Sequence, residues 1–252
     1  TAPHKPVLPH PRFSGMSKLG PYGDFVMQVD WTVGEVLKAV DDAGITDNTL
    51  VIYSSDNASF MYRESDKEKP HHLSDETEQR YYEGDHTANG PWRGTKADIW
   101  EGGHRVPLFA RWPKEIKAGS ICKETVCLVD LFATASDLAK AKLPKPSEAA
   151  PDSFSWVPLF RGKPGQFRRA PVINHSSGGM FAIRVGQWKL ILGNGSGGRQ
   201  QPKGRRFQPP WQLFDLKNDP GETTNLASQE PERVQQMEAS LFQILANDKS
   251  RK

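Results

Sequence analysis

The sequence predicts an α/β fold, a mixed sheet flanked by helices, followed by a small α+β subdomain with an antiparallel sheet and a terminal helix. Three observations carry that expectation. Apolar residues keep a 3.6-residue rhythm over residues 24–43 and lead directly into the strand-like run Leu50-Val51-Ile52-Tyr53. A second hydrophobic strand is expected at 106–111. Beyond residue 151 the texture changes to short alternating runs closed by one amphipathic stretch. The expected division is therefore 1–150 for the α/β part and 151–252 for the small subdomain.

Taken in order, the opening carries Pro3, Pro6, Pro9 and Pro11, which exclude helix and predict an extended surface loop. Phe25, Val26, Val29, Val33, Val36, Leu37 and Val40 form the apolar stripe of the first helix, and Gly44 stops it. Asp47-Asn48 turns the chain into a strand of buried type. In open α/β sheets ligands gather beyond the carboxyl ends of strands, where Ser54-Ser55-Asp56-Asn57 stands. Residues 60–89 are polar and lack periodicity, so they read as a long excursion from the sheet. A helix is expected at 128–141, short strands at 170–174, 181–185, 188–192 and 211–216, and a helix at 230–246.

A chain of 252 residues with 36% apolar content can bury a substantial core. No run approaches the roughly 18 apolar residues a membrane helix needs, and the opening residues lack a signal-peptide pattern. Because Thr1 stands first and a motif-like segment follows at once, an upstream segment is expected to be missing. With 33 basic and 30 acidic residues, the overall charge gives no reason to expect nucleic acid as a partner. Cys122 and Cys127 have the spacing of neither a redox pair nor a zinc half-site; they read as structural thiols or one local disulfide.

Four segments, in order, resemble the sulfatase family of the alkaline-phosphatase-like superfamily. They are Ala2-Pro3-His4-Lys5-Pro6; Asp47-Asn48-Thr49-Leu50 through Ser54-Ser55-Asp56-Asn57; Gly94-Thr95-Lys96 through Trp100-Glu101-Gly102-Gly103-His104-Arg105; and Arg184-Val185-Gly186-Gln187-Trp188-Lys189-Leu190 with Leu213-Phe214-Asp215-Leu216 and Asp219-Pro220-Gly221-Glu222. The resemblance covers nearly the whole chain. It implies hydrolysis of sulfate esters, with carbohydrates among the expected bearers of the ester, by a protein exported to the periplasm or the exterior. A sulfated small molecule or glycan is the implied substrate.

Under that resemblance Asp56 and Asn57 supply hard oxygen ligands for calcium, with magnesium as the alternative. Taken by itself, Asp-Asn after a strand is also common turn chemistry. Lys96 is assigned to the sulfate and its leaving oxygen, and His4 to the leaving-group proton. His104 and His175 are weaker candidates for contact with the organic part of the substrate; His71, His72 and His86 receive no role. Alanine at Ala58 departs from the glycine common in the family. The family nucleophile is a formylglycine made from a cysteine or serine with proline two and arginine four residues later. No cysteine or serine of this chain has those offsets, so the formylglycine and the remaining ligands are expected from an N-terminal portion. Two other readings stay open: a related phosphate or phosphonate ester hydrolase, and a non-catalytic sulfated-glycan-binding fragment using Arg199, Lys203, Arg205 and Arg206.

Overall fold

A computed structural model describes residues 4, 7–64, 68–70, 80–82 and 86–251, with the backbone alone for 62–64, 81 and 82. Two compact units emerge: residues 1–96 with 102–112, and residues 97–101 with 113–252.

In the first unit a short 3-10 turn, Pro11–Phe13, precedes helix α1, Gly20–Asp42. Pro21 sits in the first turn, where its missing N–H costs nothing. The buried Asp24 carboxylate accepts the backbone N–H of Gly15 at 2.8 Å and of Ser17 at 2.7 Å, fixing the loop that enters the helix. Gly44 ends the helix with φ of 67°, a conformation side chains resist. At its C-terminal end Asp41 accepts from Thr46 and pairs with Arg111; those two bonds, led by the Thr46 hydroxyl, hold its carboxyl below the usual range.

Strand β1, Val51–Ser54, pairs antiparallel with β4, Leu108–Arg111, placing Ser54 opposite Leu108. The strand expected as buried is half-buried along its length, and its aromatic partner Phe109 is largely exposed. Between them lie β2, Tyr62–Glu64, and β3, Arg80–Tyr82, a short parallel pair inside the polar excursion. The period-2 signal was too brief to mark either. His71 and His72 lie outside the described residues. The short helix α2, Glu101–His104, precedes β4.

The second unit is built on a four-stranded antiparallel meander: β5 Val172–His175, β6 Phe181–Val185, β7 Trp188–Ile191 and β8 Gln212–Asp215. Alternation in β6 and β7 feeds two cores. One gathers Ile99, Trp100, Met180, Ala182, Ile191, Phe214 and Leu216. On the opposite face Ile183, Leu190, Leu192 and Leu213 meet Met237 and Leu241 of the terminal helix α5, Pro231–Asn247. This antiparallel sheet with a terminal helix matches the subdomain read from the sequence.

Residues 113–150, grouped by the sequence with the first part, pack by contact with the second unit. The reason is Asp130. Its fully buried carboxylate receives Arg169 through Nε at 2.9 Å and Nη2 at 3.2 Å, Trp156 Nε1 at 3.2 Å, and the N–H groups of Cys127 and Phe154. The expected helix at 128–141 accordingly starts as a 3-10 turn, Leu128–Asp130, and continues as α3, Leu131–Leu138; one further turn, α4, Val157–Phe160, follows. Cys127 is half-buried and Cys122 exposed; both are free thiols, so the local disulfide is ruled out and Cys122 is not a buried structural thiol.

Candidate active site

Within the first unit β1 delivers Asp56 and Asn57 at its carboxyl end. Ser54 Oγ donates to the Pro107 carbonyl at 3.0 Å, and Ser55 Oγ donates to the Asn57 carbonyl at 2.8 Å, so the segment leaves the strand in a defined turn. Asp56 is exposed and Asn57 half-buried. Ala58 is buried and is absent from the residues with positive φ, so alanine is accommodated there without backbone strain.

Ser59 ties this segment to the next motif. Its carbonyl accepts the Lys96 N–H at 2.9 Å and the Asn89 side-chain amide at 3.1 Å, while its own N–H donates to Asn89 Oδ1 at 2.9 Å. Asn89 also reaches the Gly94 carbonyl at 3.3 Å, and the Ser59 hydroxyl meets Tyr22 at 2.9 Å. Neither Ser59 nor Asn89 stood out in the sequence. Each works through the backbone of a distant segment, a role that leaves no local pattern.

Lys96 and His4, separated by 92 positions, come together: Lys96 Nζ lies 3.5 Å from His4 Nε2. An ammonium has only donors, so in any hydrogen bond across this contact Lys96 donates. His4 is exposed and stands edge-on to Phe60, with ring centroids 6.0 Å apart. Directly after Lys96, Ala97 adopts φ of 84°, costly for a residue with a Cβ. The Ala97 carbonyl accepts from Ser177 N at 3.0 Å, and a Cβ on Gly198 would lie 2.3 Å from it, so close packing holds the strained residue.

His104 is the last residue of α2 and half-buried. The helix is pressed onto the preceding turn: Gly102 N donates to Arg93 O at 2.6 Å, and a Cβ there would fall 2.3 Å from Gly94 O, which demands glycine. Arg105 covers the Trp92 ring at 4.5 Å, and Trp100 is core, donating to Gln212 Oε1 at 3.1 Å. His175 belongs to the second unit, exposed at the end of β5, with Nδ1 3.1 Å from Ser176 O and its ring against Phe181. His4, Asp56, Asn57, Lys96 and His104 are thus all in the first unit, and His175 is not.

The second unit contains a charge cluster the sequence did not announce. Glu101 accepts from Lys189 at 3.1 Å and from Arg184 at 2.9 Å; Lys189 also pairs with Glu222 at 3.0 Å, and Glu222 accepts the Glu101 N–H at 2.6 Å. Two cations balance two carboxylates, with Lys189, Glu101 and Glu222 buried. Burial pushes the Glu222 carboxyl up from its ordinary value, against the pull of Lys189. Single charges far apart in sequence read as solvated, so no local signal marks such a group.

As metal ligands Asp56 and Asn57 offer a carboxylate and an amide oxygen, the donors a hard dication takes. Two donors are a fraction of the six to eight that calcium wants, and among the described residues no cluster of three His, Cys, Asp or Glu side chains forms a complete cage. The pair fits one side of such a site.

Residues 2–141 match the sulfatase family, and residues 95–250 match the N-sulphoglucosamine sulphohydrolase C-terminal family. The chain is 34% identical over 247 residues to an N-acetylgalactosamine-6-O-sulfatase of Bacteroides thetaiotaomicron, covering 96% of this chain and 45% of that protein. It is 31% identical over 257 residues to the steryl-sulfatase of Mus musculus, covering 94% and 38%. A solved structure described under the metabolism of multiple glycosaminoglycans by Bacteroides thetaiotaomicron superposes with a TM-score of 0.77 at 31% identity, over 96% of this chain and 48% of that one. The chain therefore spans less than half the length of these relatives. Matched in order across both units, and folded as mixed α/β with an antiparallel sheet and terminal helix, it belongs to the sulfatase family.

Proposed function

We propose that this chain forms the C-terminal part of a sulfuric ester hydrolase that cleaves sulfate esters on carbohydrates. The observation that carries this reading is the convergence of the Lys96 ammonium and His4 Nε2 at 3.5 Å, with the Asp56-Asn57 turn anchored to the same backbone through Ser59. The names of the glycan-directed relatives support a sugar as the bearer of the ester.

Lys96 holds an anionic ester oxygen and offsets the charge that grows on the leaving oxygen as the S–O bond breaks. His4, adjacent to it, delivers a proton to that oxygen. Asp56 and Asn57 hold one side of a calcium or magnesium ion, which when bound supplies charge neutralisation for the sulfate. The attacking group in this reading is a formylglycine hydrate contributed by an N-terminal portion of the protein, and membership of the family supports export to the periplasm or the exterior. Among the described residues no helix is long and apolar enough to cross a membrane.

The decisive experiment measures sulfate release by the full-length parent from a panel of 6-sulfated amino sugars and aryl sulfates, with and without EDTA. Hydrolysis that is abolished by chelation and reduced by Lys96→Ala is expected. Hydrolysis of phosphate or phosphonate esters in preference to every sulfate ester would overturn the reading.

A further inference from the structure

The second unit contains a cleft of about 540 Å³ made wholly from its own residues, walled by the turn at 177–180 and the segment 197–206. That segment belongs to the glycine- and proline-rich stretch that reads in the sequence as a solvated basic loop. Its backbone is closed on itself. Ser196 N donates to Pro202 O at 2.8 Å, Gly197 N to Lys203 O at 2.7 Å, and Arg205 N to Asn194 Oδ1 at 2.8 Å, and Gly193 bridges Arg206. Arg199 N and Gln200 N both donate to the buried Asp98 carboxylate.

The walls meet backbone to backbone. Gly178 N donates to Gly197 O at 2.9 Å, and a Cβ on Gly178 would sit 2.6 Å from that oxygen; a Cβ on Gly204 would sit 2.5 Å from Gly195 N. The wall N–H groups of Gly178, Gly197 and Gly198 are spent on internal bonds, so the charged donors that the lining offers a ligand are side chains. Lys203, Arg205 and Arg206 all line the cleft, and none of the three joins an ion pair among the described residues. The Arg206 guanidinium lies over Gly179, 3.3 Å from where a Cβ would stand, so the missing side chain makes its seat. Three exposed cations that line one cleft without an ion-pair partner among the described residues are the complement of an oxyanion.

We propose that this cleft is a recognition site for a sulfate group of a sulfated saccharide, with Arg206 and Arg205 as the fork-shaped donors and Lys203 as the point charge. The inference deepens the sulfatase reading, since it assigns the substrate class, and it rests on that reading only for the choice of a saccharide. Among the described residues no aromatic ring lines the cleft, so they supply no stacking platform of the kind single-stranded nucleic acid uses.

The full chain carrying Lys96→Ala, which removes the proposed catalytic cation, is titrated calorimetrically with a chondroitin 6-sulfate hexasaccharide and with the same hexasaccharide after chemical desulfation. The expected results are binding that weakens with added salt, loss of affinity on desulfation, and a loss on the order of tenfold when Lys203, Arg205 and Arg206 are all changed to Gln. Lys163→Gln, an exposed cation elsewhere in this unit, leaves the affinity unchanged. Equal binding of the desulfated sugar would assign the cleft to the uronate carboxylates and overturn the proposal. So would unchanged affinity in the triple variant with an unchanged unfolding midpoint, or equal competition by an oligonucleotide of matched charge. Because the readout is binding, a parent without sulfatase activity that still shows these losses sinks the enzymatic reading alone; an active parent with an indifferent cleft sinks this one alone.

Discussion

The two units bury their side chains very differently. In the first, the apolar core within the described residues is a small group, Tyr22, Phe60 and Met61 with Val7 and Ala88 against it, while α1 leaves Val26, Met27, Trp31 and Val36 exposed. In the second, both faces of the meander are covered, and Ile183, Leu190, Ile191, Leu192 and Leu213 are fully buried. The second unit satisfies its own hydrophobic surface; the first presents an apolar helix stripe and a half-buried strand pair that have the character of an interior face. The candidate catalytic groups sit on the incompletely covered unit, and the rigid ionic and glycine-packed features on the covered one.

The comparison can be broken most sharply at Lys189. Replacing it by Ala strands the buried Glu222 and leaves Glu101 with Arg184 alone, and the second unit is expected to lose about 3–5 kcal/mol, read as a lower urea midpoint for the fluorescence of the buried Trp100 and Trp156. A change under 1 kcal/mol would mean the cluster is hydrated. In the first unit the largest effect is on chemistry: Lys96→Ala is expected to lower kcat of the full-length parent by roughly 10²–10³ with little change in the unfolding midpoint, because Lys96 is only half-buried. Loss of folding with loss of activity would make it a structural lysine.

Asn89→Ala removes the clamp on Ser59 and Gly94, and is expected to cost about 1–3 kcal/mol and to reduce activity through misplacement of Lys96. Ala97→Gly relieves positive-φ strain and is expected to raise stability by about 1 kcal/mol, measured by the same urea titration. The smallest expected effect is on the pH profile. Glu222 is raised above its ordinary value of 4.5, so its contribution is most favourable at low pH, where both states hold the proton, and falls as pH rises through the elevated native value. Urea midpoints of wild type should show that decline above pH 4.5, and Glu222→Gln should flatten it.

The same contrast explains what the sequence made legible. The helix of the first unit and the terminal helix follow from periodicity, and the strands from apolar or alternating runs. Asp56, Asn57 and Lys96 stood out through the resemblance of their segments to the sulfatase family; by themselves they read as turn residues and a solvated lysine. What stayed hidden depends on partners far along the chain. The Asp130 hub, the Asn89 clamp and the Glu101-Lys189 cluster each join residues 30 or more positions apart, up to 121, and no local spacing encodes such a meeting. The glycine- and proline-rich stretch at 193–210 reads as a solvated loop, and its residues 201–210 are exposed; what composition left out is that several of its glycines are sites of backbone contact.

The Glu101–Glu222 hydrogen bond has a consequence for how the second unit breathes. The Glu101 amide proton, held at 2.6 Å by a carboxylate that is itself buried, reaches solvent only if segments 121 positions apart separate. Opening one of them alone would expose the apolar neighbours Ile99 and Trp100 and leave charges without counter-charges. That amide is therefore a built-in reporter: its deuterium exchange should follow the global unfolding free energy of the unit, while amides in the exposed segment at 201–210 exchange through fluctuations far below it.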